Sequence, residues 1–164
     1  MFILNRDVEN LTFAQQKNNW NAYDEHLQSN KNRIPASAYS FATAEWHYDP
    51  NDHKSPHDSW LENAILEEKS SGARQEIRKL EIRMTLLGAY HDGRIKITHH
   101  GVHSYKIEST STQHGDWLQD EITLSDEGFI IHRIEFSRAY WVVQCADIDY
   151  QWLPDFPSEV HRPT

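Results

Sequence analysis

The chain has very few of the residues that would point to an export, membrane or redox role. Cys145 is its only cysteine, so no internal disulfide can form. A reducing cytoplasm is therefore the expected compartment. No run of 18 apolar residues exists, which excludes a membrane-spanning helix on sequence grounds. The opening Met1-Phe2-Ile3-Leu4-Asn5-Arg6 is too short an apolar run for a signal peptide. Phosphate-binding glycine loops, a dinucleotide fingerprint, Gly-x-Ser-x-Gly and His-Glu-x-x-His are all missing. Positive charge is also scarce. The net charge of −9 argues against sequence-independent binding to nucleic acid or anionic lipid.

What is present is aromatic. Six Trp, seven Tyr and six Phe in 164 residues supply buried area that the 38% hydrophobic fraction alone would not. The length suits one domain, 1–164, with a helical region over 1–56, a sheet over 57–153 and an irregular tail over 154–164.

Thr12-Phe13-Ala14-Gln15 has the form of a capping box. A helix from there to about Ser29 places Phe13, Trp20, Tyr23 and Leu27 on one face. Pro35 suits the first turn of a second helix, with Tyr39, Ala42 and Trp46 on its buried side. Asp49-Pro50-Asn51-Asp52 ends it.

After His57 the apolar period becomes two. Leu80, Ile82, Met84 and Leu86 alternate with charged or polar residues, and so do Ile95 and Ile97. Further strand candidates cover 60–67, 102–108, 120–124, 129–136 and 140–150. Short breaks rich in Gly, Asp and Ser imply hairpins. The fold class expected is α+β: two N-terminal helices on a mostly antiparallel sheet of about seven strands in meander order, with curling into a partial barrel left open.

Polar chemistry gathers in three His/Asp pairs: His57-Asp58-Ser59-Trp60, His91-Asp92 and His114-Gly115-Asp116-Trp117. A plain meander returns all three to one end of the sheet, while His99, His100 and His103 lie roughly 20 Å away. The candidate binding set is thus His57, Asp58, Trp60, His91, Asp92, His114, Asp116 and Trp117. A divalent metal held by His57, Asp58, His91, Asp92, His114 and Asp116 is a second reading, because neutral imidazole with carboxylate suits such an ion. Strands stand about 4.8 Å apart, so a flat sheet would let two pairs share an ion but not three. The bland reading is that these are capped turns with solvated histidines. His132 alternates with Ile130 and Ile134 and should face inward, satisfied by a partner. Asp147 and Asp149 share one face, expected to be exposed. Cys145 reads as a small core residue.

Charge is unevenly distributed. Residues 69–106 carry eight basic and three acidic groups, a balance of +5, and residues 108–164 carry eleven acidic and three basic, a balance of −8. Neighbouring strands could pair these charges across a solvated face. The alternative is an acidic surface built for a basic protein. The acidic balance, small size and aromatic-rich α+β pattern resemble immunity proteins of bacterial toxin systems in composition, without a shared motif. That resemblance implies an inhibitor of a basic protein and assigns no residue roles. The leading expectation is a binding module of this kind. A metal-dependent hydrolase at the His/Asp end is the alternative, and a small-ligand carrier is a third reading if the sheet closes around a pocket.

Overall fold

The computed structural model describes residues 3–4 and 8–155. Helix α1 (Phe13–Ser29) begins where the capping box predicted: Thr12 accepts from the Gln15 backbone at 3.2 Å and the Gln15 side chain accepts from the Thr12 N–H at 2.8 Å. Tyr23 and Leu27 are buried on its inner face, but Phe13 is 83% exposed and lies outside that stripe. Helix α2 (Ala36–Ala42) is shorter than expected, with Pro35 at its N-cap. Trp46 lies beyond it, in the turns that follow.

Eight strands follow rather than seven: β1 (Trp60–Ser71), β2 (Ile77–Leu87), β3 (Gly93–His100), β4 (Ser104–Ser109), β5 (Trp117–Leu124), β6 (Ile130–Phe136), β7 (Ala139–Cys145) and β8 (Asp147–Pro154). The last candidate run splits at Ala146. The order is not one meander either. One antiparallel sheet runs β1-β2-β3-β8 and the other β4-β7-β6-β5. The reason is a bent ribbon. β3 passes into β4 through Gly101–His103, and β7 passes into β8 through Ala146, directly alongside. β3 pairs with β8 in the first sheet and β4 with β7 in the second. At the bend Ala146 N–H donates to the His100 carbonyl at 2.9 Å. The tail beyond 155 lies outside the described residues, and Pro154 still belongs to β8.

The sheets do not close into a barrel, but they touch again at a short seam. Trp60 bridges Asp116, Asp58 N–H donates to the Trp117 carbonyl at 2.9 Å, and Trp117 N–H donates to the Ser59 carbonyl at 3.0 Å. The register shifts between Leu61 and Asn63 on β1, and between Trp117 and Gln119 on β5. Both strands of the seam thus carry a register shift of the kind a bulge makes, which bends a strand and raises its twist.

Period-two alternation places Ile82, Met84, Leu86, Ile95, Ile97 and Ile148 of one sheet in the same core as Ile122, Ile130, Ile134, Trp141 and Val143 of the other. Cys145 is fully buried among them, and burial pushes its thiol up to about 12. Along β1 and β2 opposite charges do pair across strands: Glu67 with Arg83 at 3.0 Å, Glu68 with Arg78 at 3.3 Å and Lys69 with Glu81 at 2.9 Å. Much of the basic excess of 69–106 is therefore matched locally.

The free edge of β5 is covered by side chains. Ile122 N–H donates to the Tyr23 hydroxyl at 2.9 Å, Leu124 N–H donates to His26 Nε2 at 3.0 Å, and the Tyr48 hydroxyl donates to the Asp120 carbonyl at 3.1 Å. An edge strand otherwise offers unpaired backbone groups to other chains. Burial pushes His26 below its usual range, which keeps Nε2 free to accept. Tyr23→Phe would leave the buried Ile122 N–H without an acceptor. A loss of about 1–1.5 kcal/mol in urea unfolding is expected; no change would show that this edge bond does not contribute to stability.

Candidate binding site

The three His/Asp corners reach one rim, by a route other than a meander. β1 and β5 both start at the seam, and the β2–β3 turn folds against it. The half-exposed indole of Trp60 donates its N–H to Asp116 Oδ1 at 2.6 Å. The His91 ring stands edge-on to that indole, 4.9 Å between centroids. His57 Nδ1 donates to the Leu118 carbonyl at 3.1 Å, while its Nε2 lies 3.6 Å from Asp58. Asp92 bonds to His53, whose ring is stacked on Tyr90 at 4.0 Å. Tyr90 in turn donates its hydroxyl to the Pro50 carbonyl at 3.1 Å.

Local geometry explains these placements. Asp58 and His91 both adopt positive φ, 60° and 58°, a left-handed conformation that Asp and His tolerate better than most residues. Gly115 has φ of 76°, and a Cβ there would sit 1.9 Å from Ser137 Oγ. That close approach matters because Ser137 Oγ accepts the Asp116 N–H at 3.0 Å and so sets where the carboxylate stands.

Not every candidate faces the rim. Trp117 is 1% exposed and packs edge-on against Phe136, so it lends the seam only its backbone. His114 is turned inward against Phe136 and Trp141. Burial pushes its imidazole down, and Nε2 has no hydrogen-bond partner. Asp92, Asp116 and His114 are thus drawn in three directions. Among the described residues, no three His, Cys, Asp or Glu side chains are placed to hold a metal ion.

Beside Trp60 lies an open cavity of about 560 Å³, walled by Trp60, Glu62, His114, Asp116, Ser137 and Arg138 among others. Glu62 is itself paired with Arg94 at 3.1 Å. The largest exposed apolar groups at the rim are Trp60 (48%), Tyr90 (47%) and Leu118 (43%).

A second polar cluster went unnoticed in the sequence. His47 Nδ1 donates to the Phe41 carbonyl at 2.7 Å, and its Nε2 meets Asp120 Oδ1 at 2.8 Å. Asp120 Oδ2 meets His132 Nε2 at 2.9 Å, and His132 Nδ1 meets His99 Nε2 at 2.9 Å. All four residues are at most 1% exposed. Burial pushes the Asp120 carboxyl up, but His47 and the bonds from His132 and His47 outweigh it and hold the group well below the usual carboxylate range. With Asp120 ionised, both His47 nitrogens face oxygen acceptors. His132 then donates through Nε2 and accepts through Nδ1 from His99. His99 Nδ1, like His114 Nε2 and Trp141 Nε1, is a buried ring nitrogen without a hydrogen-bond partner among the described residues. His132 faces inward with partners, as its alternation predicted. His47 had no signal: it follows a turn, outside any periodic run.

No protein-family model, curated protein or solved structure matches this chain. Any functional reading therefore rests on these residues alone. Among the described residues no helix is long and apolar enough to cross a membrane. The buried histidine chain has both faces of its rings committed to the core, and a small cavity of about 220 Å³ between Trp20, Tyr48 and Trp117 ends on its His47–Asp120 pair. Its geometry ties α2's following turn, β5, β6 and β3 together. The rim, by contrast, presents fixed aromatic surface to solvent.

Proposed function

We propose that this chain is a binding module, that its working surface is the rim around Trp60, and that its partner is a basic protein. The observation that carries the proposal is the Trp60 indole, 48% exposed yet held by Asp116 at 2.6 Å. An aromatic side chain already fixed before binding loses little rotamer freedom when a partner covers it. Trp and Tyr are also the residue types that most often dominate binding energy. Tyr90 is fixed in the same way, by His53 and the Pro50 carbonyl. The carboxylates Asp58, Asp92 and Asp116 lie at the same corners, in a chain of net charge −9. An acidic rim speeds encounter with a basic partner and makes binding salt-sensitive. Covering a basic functional surface in this way would make the chain an inhibitor, the role its composition suggests.

The test is capture from a lysate of the source cells on immobilised protein, at low and high salt, with wild type and Trp60→Ala side by side. The expected result is a basic protein released by high salt, and retained at least about tenfold less by Trp60→Ala, a loss of about 1.4 kcal/mol or more. An acidic partner, or one held equally by both proteins, would overturn the proposal.

A further inference from the structure

We infer that the cavity beside Trp60 is a slot for a guanidinium group, so that the partner inserts an arginine there. This rests on the binding-module reading and names the chemistry of its anchor. Three features of the cavity point to it. First, one wall is the Trp60 indole, the aromatic ring with the most favourable cation–π face. Second, its N–H is bonded to a carboxylate, Asp116, at 2.6 Å. A hydrogen bond to an anion pushes electron density from the N–H into the ring, which strengthens attraction of a cation to the ring face. Third, the lining carries two carboxylates, Glu62, already paired with Arg94 at 3.1 Å, and Asp116, which has no cation partner among the described residues; Arg138 is the one guanidinium of the lining. Burial pushes the half-buried His114 below its usual range, which disfavours a positive charge there.

The preference for arginine over lysine follows from shape. A guanidinium is flat, stacks on indole and presents paired N–H groups to a carboxylate, while an ammonium is a strongly hydrated point. Asp116 accepts from Trp60 through Oδ1, and its Oδ2 has no comparable bond to the indole. Ser137 Oγ accepts from the Asp116 backbone N–H and Gly115 leaves room for that contact, so the backbone that carries this carboxylate is fixed before the ligand arrives. At about 560 Å³ the cavity exceeds the needs of one side chain and leaves room for the partner backbone on either side.

The probe is N-acetyl-arginine amide, titrated into the intact protein while the Trp60 indole N–H resonance is followed by NMR. N-acetyl-citrulline amide, its uncharged isostere, and N-acetyl-lysine amide with a free ε-amine are run in parallel. The expected result is a saturable shift of the Trp60 signal by the arginine probe. Citrulline should bind at least about tenfold more weakly and lysine several-fold more weakly, and Asp116→Asn should reduce the arginine response several-fold. Equal responses to arginine and citrulline, or shifts mapping away from Trp60, Glu62 and Asp116, would overturn the inference. If the arginine probe fails while a basic partner is still captured through Trp60, the binding-module reading stands and only the guanidinium slot falls.

Discussion

Asp120→Ala is expected to lower stability by about 3–5 kcal/mol, the largest effect of any substitution considered. For a chain of this size that is a fall in Tm of about 6–20 °C. Asp120 is 1% exposed and accepts from two histidines. Removing it leaves His47 Nε2 and His132 Nε2 buried with nothing to bond. Asp120→Asn separates bonding from charge. The asparagine oxygen can accept from His132, and its amide can donate to a neutral His47 while His47 Nδ1 keeps its bond to the Phe41 carbonyl. The expected loss is about 1 kcal/mol, since buried ion pairs often add little once bonding is preserved. Chemical denaturation of both variants is the measurement. Equal losses would show that the chain is not held by the bonding pattern described.

The second large effect is acid lability centred on His99. Burial first, and then the neighbouring His132, push His99 well below its ordinary value of 6.5; the nearby His100 acts in the same direction and the Ile82 backbone in the opposite one. Above pH 6.5 the ring is neutral in both states and no penalty arises. Below 6.5 the unfolded chain binds a proton that the folded chain cannot, so stability falls with pH by up to about 1.4 kcal/mol per unit until the folded value is reached. Between pH 7.5 and 5.0 this group can contribute at most about 2 kcal/mol of that loss. His26 and His114 are also pushed down by burial and act in the same sense. Asp120, held low, adds its own loss only below its ordinary carboxylate value of 3.8. His99→Gln keeps an N–H donor toward His132 without a titrating ring. Its stability should therefore vary less over the same pH range, measured as the difference in unfolding free energy between pH 7.5 and 5.0. A variant with the same slope as wild type would place the acid sensitivity elsewhere.

Local rules made several elements readable in advance. The Thr12–Gln15 capping box starts α1 because a short-range pair of side chains satisfies the first orphaned N–H groups. The alternation in β2 and β3 predicted their inner faces because a pleated strand sends successive side chains to opposite sides. Phe13 shows the limit of such periodicity. It sits in the first helical turn, before α1 has reached the sheets, and no partner surface lies beneath it. The strand order departs from a meander at Ala146 and Gly101. Ala146 alone lets β7 continue into the other sheet with no turn signal, and the turn chemistry of His100-Gly101 marks a bend into the second sheet, where a hairpin was expected. Asp120 and Glu121 are buried because helix α1 covers the edge of β5, so a strand that reads as half polar is enclosed on more than one side. Glu121 is satisfied by the Ile3 and Leu4 N–H groups and by Arg133, more than a hundred residues away on one side and twelve on the other.

By itself the sequence determined the class, α+β with antiparallel strands, and the identity of the residues at three His/Asp turns. Those are consequences of contacts between near neighbours: caps, hairpin turns and the two-residue repeat. Tertiary structure alone decided that Trp60 would be anchored by Asp116, that Trp117 would be drawn into the core and His114 turned against Phe136 and Trp141, and that His47, Asp120, His132 and His99 would meet. Each of these is a contact between segments brought together by the bent ribbon and the bulged seam. No pairing rule acting along the chain can foresee which distant polar groups will be enclosed together and must satisfy one another.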